Sequence, residues 1–171
     1  MSAASAIHIN IFGPHPIAVF ASPEQQARWL PDLAHGRVKA AFSVTEPDAG
    51  LDTTRIRTRA RREGDEYVVD GRKVWTSTAQ IADKIMLLVR TTPLEEVDRP
   101  TDGLTLLYTD LDRDRIEVRE IHKMGRAAVD SNALFIDELR VPVGRPWPRR
   151  TATRSCSESS SKSGMASSGG S

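Results

Sequence analysis

A series of short apolar runs between residues 38 and 143 does most to constrain the fold of this chain. Each run has the length of a β-strand, and charged, Gly-containing or Pro-containing turns separate it from the next. Because short strands of this kind bury their apolar faces against one another, we predict seven or eight strands in a closed or sandwiched β-domain. The runs are residues 38–44, 54–61, 67–69, 73–75, 85–90, 104–109, 116–121 and 133–139.

Two local patterns within this region give sharper predictions. Residues 54–61 alternate between arginines and smaller or apolar side chains, which is typical of a strand with one buried face. The side chains predicted to be buried are Ile56, Thr58 and Ala60. Further along, Asp70 and Gly71 stand between two β-prone runs, and both residues tolerate positive φ. They therefore predict a two-residue type I′ hairpin turn.

Residues 1–36, before the strands, have a helical pattern. Ser22 and Gln25 are spaced as a capping box, with a proline at the first helical position, so we predict that a helix starts there. Pro31 either kinks this helix or begins a new turn, and Gly36 is the expected stop.

Residues 146–171, after the strands, are rich in Ser, Arg, Gly and Pro and have almost no aliphatic side chains. Such a segment buries too little apolar area to offset the entropy lost on ordering, so we predict disorder. The sequence thus divides into a helical part at 1–36, a β-domain at 37–145 and a disordered tail at 146–171. The predicted fold class is α+β, and mainly β.

The composition argues against several kinds of partner and environment. The formal net charge of +1, from 24 basic and 23 acidic residues, gives no reason to expect nucleic acid as a partner. No apolar run approaches the roughly 20 residues that span a bilayer, so no membrane association is expected. The single cysteine, Cys156, cannot form an intrachain disulfide, and no secretory signal is visible. We therefore expect a cytoplasmic protein, or a matrix protein if an organelle is involved.

The familiar catalytic and metal-binding motifs do not occur in this sequence. The four histidines lack the spacing of metal ligands, so we predict no metal site. There is no serine nucleophile elbow and no Gly-rich phosphate-binding loop. These patterns therefore predict no catalytic residue.

The segment AAFSVTEPDAGLDT, residues 40–53, is the strongest candidate for a ligand site. An apolar strand ends there at Glu46 and Pro47, and Gly50 permits a sharp turn or the close approach of a ligand. Backbone amides of the turn, together with the Thr45 hydroxyl, could bind the polar edge of a planar ring. An ordinary strand end followed by a turn explains the same pattern, and the residues alone do not decide between the two.

Three further segments, one before this segment and two after it, contribute to a family resemblance. They are SPEQQARWLPDLAHG before it, and DEYVVDGRKVWTSTAQIADKIMLLVRT and IHKMGRAAVDSNALFIDELRVP after it. Together the four segments resemble the acyl-CoA dehydrogenase family, from the last helix of its N-terminal helical domain through its middle β-domain. The resemblance covers roughly residues 7–145.

This resemblance implies FAD as the cofactor and an acyl-CoA thioester as the substrate. It implies that Thr45 hydrogen-bonds to the pyrimidine edge of the flavin, that Trp75 packs against the ring system, and that Ser77 donates toward flavin N5. The remaining implied contacts are Phe42 and Val44 lining the flavin, Gly50 beside the pyrophosphate or thioester, and Leu51 at a contact with the substrate or the flavin phosphates, where the family usually has serine.

The family's reaction is α,β-dehydrogenation, in which a carboxylate base removes the α-proton while a hydride passes to flavin N5. The family also implies an electron-transfer acceptor and, in full-length relatives, a homo-oligomer. No carboxylate here matches the family's base, and the tail resembles another reading frame. We therefore expect a truncated, frameshifted or deliberately partial family member without the family's C-terminal helical domain, inactive alone and with weak or absent FAD binding. Two alternatives remain open: a related flavin monooxygenase or nitroalkane oxidase, and a non-catalytic β-domain.

Overall fold

The structure, a computed structural model, describes residue 11 and residues 13–125 and 129–143. The predicted disordered tail at 146–171 and the start of the predicted helical part, residues 1–10, lie outside the described residues. Within the described ranges two complete helices precede seven strands, so the predicted fold class, mainly β with short helices first, is confirmed. The elements are α1 His15–Phe20, α2 Pro23–Ala34, β1 Ala40–Ser43, β2 Arg59–Glu63, β3 Glu66–Thr76, β4 Lys84–Arg90, β5 Leu104–Asp110, β6 Ile116–Glu120 and β7 Asn132–Pro142, with 3-10 turns at Thr53–Arg55 and Leu94–Glu96.

Helix α2 starts and stops where the sequence predicts. The Ser22 hydroxyl accepts a hydrogen bond from the Gln25 amide, and the Gln25 side chain accepts one from the Ser22 amide, which completes the capping box. The helix continues through Pro31 to Ala34, so this proline neither ends it nor opens a separate turn. Gly36 follows with φ 67°, the left-handed conformation that closes a helix at its carboxyl end.

The seven strands form one sheet in which β4 is central. One edge of β4 pairs in parallel with β1 and then, at Arg90, with β2, while its other edge pairs antiparallel with β5. From β2 the sheet continues antiparallel through β3 and β7 to β6. Among the strands described, β5 and β6 form no ladder with each other.

The main core lies inside the curve of this sheet. Leu107 from β5 and Ile116 from β6 belong to one buried cluster, although their strands stand at opposite ends of the sheet. The sheet therefore curls around its apolar side chains. A second cluster, built around Ile17 and Met86, joins the helices to the other face of β4 and β5. Trp29 of α2 meets Tyr108 edge to face there, with ring centroids 5.1 Å apart.

The alternation predicted for residues 54–61 is correct in burial but too long as a strand. Ile56, Thr58 and Ala60 are buried, and the arginines between them are exposed. Ladder pairing begins only at Arg59, because the amides just before it bond elsewhere. Those of residues 57 and 58 donate to the carboxylate of Glu46 instead of to a neighbouring strand.

The predicted hairpin at Asp70 and Gly71 is wrong, since β3 runs straight through both residues. The hairpin that joins β2 to β3 turns at Gly64 and the residue after it, and Gly64 has φ 61°. Gly71 is needed for a different reason: a Cβ there would lie 2.5 Å from the Thr58 hydroxyl oxygen and 2.7 Å from the Thr58 Cα. The Asp70 carboxylate accepts a hydrogen bond from the Glu138 amide, where the register between β3 and β7 shifts. Gly71 thus lets β3 pass close to Thr58, and Asp70 bonds β3 to β7.

No helix in the described part of the chain is both long and apolar enough to cross a bilayer.

Candidate functional site

The end of β1 lies beside the end of β3, which brings together two of the segments singled out from the sequence. The Val74 amide donates to the Thr45 carbonyl at 2.9 Å, and the hydroxyls of Ser43 and Thr76 are 2.8 Å apart in a buried contact. The two contacts have antiparallel register, with 43 opposite 76 and 45 opposite 74. Thr45 is therefore held on the segment next to the one that carries Trp75 and Ser77.

Thr45 and Ser77 both carry donors that the fold does not use. Their side chains are half-buried, and their hydroxyl and amide groups form no hydrogen bond with any residue in the described ranges. No buried side-chain nitrogen or oxygen in the described residues lacks a partner, so these two hydroxyls reach the surface, where water or a ligand can bond to them. Two neighbouring segments thus offer donors at the surface.

Trp75 stands on the same segment as Ser77 and faces outward. Its side chain is 59% exposed, and its backbone has φ 62° at a position where β3 has one more residue than β7. This is a β-bulge with a left-handed residue, a place where glycine is usual. The bulge gives the site a flat aromatic surface beside the open donors. We call Thr45, Trp75 and Ser77 the donor face.

The other four residues predicted for the site are placed less closely together. Phe42 packs toward the helices in the second cluster, and the Val44 carbonyl accepts the Lys73 ammonium at 3.0 Å. Gly50 lies outside the left-handed region, and a Cβ there would meet nothing within 4 Å. Leu51 is fully exposed next to it. Gly50 thus faces open space in the described structure.

Backbone hydrogen bonds close the turn that follows Thr45. Glu46 and Ala49 exchange two backbone hydrogen bonds, at 3.0 and 3.2 Å. Their amides are therefore engaged within the turn, although the sequence suggested turn amides as ligand donors.

A buried ion pair behind the donor face was missed by the sequence reasoning. The Lys73 ammonium is fully buried and donates to the Glu46 carboxylate at 2.9 Å, as well as to the carbonyls of Val44 at 3.0 Å and Leu88 at 2.7 Å. Glu46 also accepts the amides of Arg57 at 2.6 Å and Thr58 at 2.9 Å. One pair therefore ties together segments of β1, β2, β3 and β4.

The sequence holds one signal for this pair. Lys73 lies four residues after the buried Val69 on a strand, so the period of two places it on the inward face. A lysine on an inward face needs a carboxylate and further acceptors. Its partner is 27 residues away in sequence, and no local spacing reveals it.

The environment of this pair keeps Glu46 ionised. Burial alone raises the pKa of the Glu46 carboxyl, but hydrogen bonds from Thr58 and Arg57 and the charge of Lys73 outweigh it and leave the pKa below 4.5. Burial lowers the pKa of Lys73, and the charge of Glu46 only partly offsets that effect. Glu46 is thus a structural anion whose carboxylate accepts hydrogen bonds from Arg57, Thr58 and Lys73, and a poor candidate for a base.

A separate cavity of about 420 Å³ opens between α2 and strands β3, β5 and β7. Trp29, Leu107, Tyr108 and Val141 are among the residues that line it, and none of the seven residues predicted for the site does. Burial and the carboxylates around it raise the pKa of Tyr108 to about 12, so its phenol stays neutral. The cavity and the donor face are therefore different places on the molecule. Within the described ranges no three His, Cys, Asp or Glu residues are grouped as a metal site requires.

Comparison with known proteins gives a family match to this region of the chain. Residues 41–139 match the family model described as the acyl-CoA dehydrogenase middle domain. The acyl-CoA dehydrogenase FadE26 of Mycobacterium tuberculosis is 36% identical over 135 residues, which cover 79% of this chain and 33% of that protein. The chain spans about a third of the length of the curated relatives it matches.

Solved structures agree with the fold. An acyl-CoA dehydrogenase from Geobacillus kaustophilus superposes with a TM-score of 0.70 at 34% identity, over 74% of this chain and 33% of that one. A glutaryl-CoA dehydrogenase from Mycobacterium smegmatis, solved in complex with FADH2, superposes with a TM-score of 0.67 at 30% identity, over 78% of this chain and 33% of that one.

Proposed function

This chain belongs to the acyl-CoA dehydrogenase family, matched over its middle domain, and on that premise we propose that its donor face holds the flavin ring of FAD. The observation that carries the proposal is that two neighbouring segments carry open donors, at Thr45 and Ser77, and that the second segment also carries the exposed indole of Trp75. A flavin offers the complementary groups, a planar apolar ring with polar atoms along its edge. A relative in the family was solved with FADH2.

Each member of the donor face has a proposed task. Thr45 donates to the pyrimidine edge of the ring, and Trp75 covers part of the ring with its indole. Ser77 donates toward the N5 position, where a hydrogen bond favours the reduced ring. When bound, FAD supplies the hydride acceptor for α,β-dehydrogenation of an acyl-CoA thioester. The protein itself orients the flavin ring and excludes water from one face of that ring.

The other predicted residues have supporting roles in this proposal. Phe42 and Val44 shape the strand end that presents Thr45, and Gly50 and Leu51 lie on the exposed turn that follows. We propose that this turn lies beside the thioester of the substrate or the pyrophosphate of FAD. Leu51 has no hydroxyl to offer, so any contact it makes there is apolar. The division at residues 36 and 145 into helical part, β-domain and tail is part of the same proposal.

We propose further that this chain alone does not turn over acyl-CoA. The two carboxylates that contact the segments of the donor face, Glu46 and Asp130, are both engaged by donors from the protein itself. Neither is therefore free to remove the α-proton of a substrate. An assay of the full chain with FAD, acyl-CoA and an artificial electron acceptor should show no turnover, and measurable turnover would contradict this part of the proposal.

Flavin binding by variants tests the proposed site. Because the donor face is open to solvent on the side of Trp75, we expect weak binding of FAD, followed through the flavin fluorescence. Trp75→Phe and Ser77→Ala should each weaken it, since they remove ring contact and a donor. Trp29→Phe is the matched control, because Trp29 lines the separate cavity and should leave binding unchanged. Equal effects of the two tryptophan changes would count against the donor face.

The family also supplies the proposed partners, an acyl-CoA substrate, an electron-transfer acceptor and further copies of the chain. The relatives named above are dehydrogenases, so this activity is preferred over a flavin monooxygenase, a nitroalkane oxidase or a non-catalytic β-domain. Among the alternatives, a purely non-catalytic β-domain predicts no flavin binding at all, which the fluorescence titration distinguishes directly.

A further inference from the structure

The backbone around Ser77 is held in an unfavourable conformation. Trp75 has φ 62° and Thr78 has φ 70°, so left-handed residues stand on both sides of Ser77. Such a conformation is uncommon for any residue with a Cβ, and for a β-branched residue such as Thr78 it is a true outlier. A conformation of this kind persists only where the surroundings impose it.

Asp130 is one of the groups that impose it. Its carboxylate accepts the Thr78 amide at 2.7 Å and the Gln80 amide at 3.2 Å. Both bonds link the segment after Ser77 to the residues just before β7, 50 positions or more away in sequence. Hydrogen bonds to a carboxylate are stronger than those between neutral groups.

Asn132 holds the same segment from the other side. Its side chain is completely buried, and its amide nitrogen donates to the Thr76 carbonyl at 2.9 Å and to the Asp130 carboxylate. Its side-chain oxygen accepts the Gln80 amide side chain at 2.7 Å. Every polar atom of this asparagine is therefore used. The Thr76 carbonyl and the Thr78 amide, which flank Ser77, are both fixed by this pair of residues.

A third contact restrains the remainder of the segment. Arg113, from the connection between β5 and β6, donates to the carbonyls of Ala79 at 2.9 Å and Gln80 at 3.1 Å. The segment from Trp75 to Gln80 is thus held at three separate points. Ser77 lies within it, and its own donors are bonded to nothing that the structure describes.

We propose that Asn132, acting with Asp130, is a positioning residue for the flavin-facing donor Ser77. That Ser77 faces a flavin rests on the proposed function. That Asn132 and Asp130 hold the segment around Ser77 does not. The two side chains bond on either side of Ser77 and leave its hydroxyl and amide open. A fold that needed only a strand end here would not require two left-handed residues with side chains, which is why the strain points to a functional constraint.

Hydrogen exchange in the full chain without flavin tests the holding of the segment. Asn132→Ala should speed exchange of the Thr78 and Gln80 amides by about tenfold, the effect of losing one buried hydrogen bond. Asp130→Asn replaces one of the two oxygens that accept these amides, so at least one of the two amides should exchange faster by a similar factor. It provides a second variant if the first folds poorly. Ser131→Ala is the control, because the Ser131 hydroxyl makes no hydrogen bond with a residue in the described ranges.

Flavin binding to the same variants tests the link to the ligand. Asn132→Ala should weaken FAD binding about tenfold and make the bound flavin harder to reduce, since Ser77 is no longer aimed at N5. Absence of FAD binding by the unmodified chain would overturn the proposed function and with it the flavin part of this inference, while the exchange data still decide the holding of the segment. Unchanged exchange at Thr78 in both variants would overturn the positioning role.

Discussion

At the scale of single residues, the Lys73 and Glu46 pair explains how a short loop can present Thr45 in a defined place. Breaking a buried pair by removing one partner leaves an uncompensated charge, which is costly. In this chain the ammonium also bonds two carbonyls from different strands. The pair therefore fixes the strand end from which the donor face begins.

Lys73→Met should destabilise the protein strongly. The substitution keeps an unbranched apolar stem but removes three hydrogen bonds. Glu46 stays buried without its cation, so we expect a loss of about 3–5 kcal/mol in the free energy of unfolding. Chemical denaturation measures this. Arg99→Met is the matched control, because the Arg99 and Asp102 side chains are 56% and 43% exposed, and an exposed pair contributes at most about 1 kcal/mol. Similar losses in the two variants would contradict the importance given to the buried pair.

The pair also predicts how stability depends on pH. The pKa of Glu46 lies below its ordinary value of 4.5 in the folded protein, so its ionised form stabilises the fold fully above that value. The contribution is lost as the pH falls through the lower, folded pKa. The difference in unfolding free energy between the unmodified chain and Glu46→Gln should therefore shrink in acid, measured from about pH 7 down to pH 3. A constant difference over this range would show that Glu46 does not titrate as described.

At the scale of secondary-structure elements, the crossing of β3 past Thr58 depends on the absence of one side chain. Gly71→Ala places a methyl group 2.7 Å from the Thr58 Cα, and backbone cannot yield as a flexible side chain can. We expect a loss of about 1–3 kcal/mol in the free energy of unfolding, as for overpacking elsewhere. Gly50→Ala, with nothing within 4 Å, should change it by less than about 0.5 kcal/mol. A harmless Gly71→Ala would mean that the crossing is looser than described.

Elements with a strong local signal could be predicted from the sequence, and the others could not. The capping box of Ser22 and Gln25 and the burial pattern around Thr58 depend on neighbours in sequence, and both were correct, although the strand itself begins only at Arg59. Asp70 and Gly71 have the composition of a hairpin turn, but tertiary contacts override that preference because Gly71 is needed to pass Thr58. Composition reports which conformations a residue tolerates, and only the fold decides which of them is used.

Only part of the candidate site could be predicted from the sequence. Thr45, Trp75 and Ser77 were predicted as site residues through the resemblance to a family, and the structure brings their two segments together. Asn132 was not found, because its role depends on the backbone conformation of a segment 56 residues earlier, which no sequence pattern displays. Residues that bind a ligand through side-chain type are visible in a sequence, whereas residues that hold others in place are mostly not.

At the scale of the whole molecule, the chain corresponds to a middle domain with a curled sheet, and it spans about a third of the length of its relatives. The donor face lies where β1 and β3 end, and the 420 Å³ cavity lies elsewhere, against α2. We therefore propose the flavin site on an open face of the sheet rather than in this cavity.

Residue-resolved titration of the full chain with FAD tests this assignment most directly. With isotope-labelled protein and FAD up to about 1 mM, weak binding is detectable through amide and indole resonances. We expect shifts centred on Thr45, the Trp75 indole and Ser77, with Tyr108 in the separate cavity unchanged. Shifts centred on Tyr108, or no shift at the donor face at the highest FAD concentration, would contradict it.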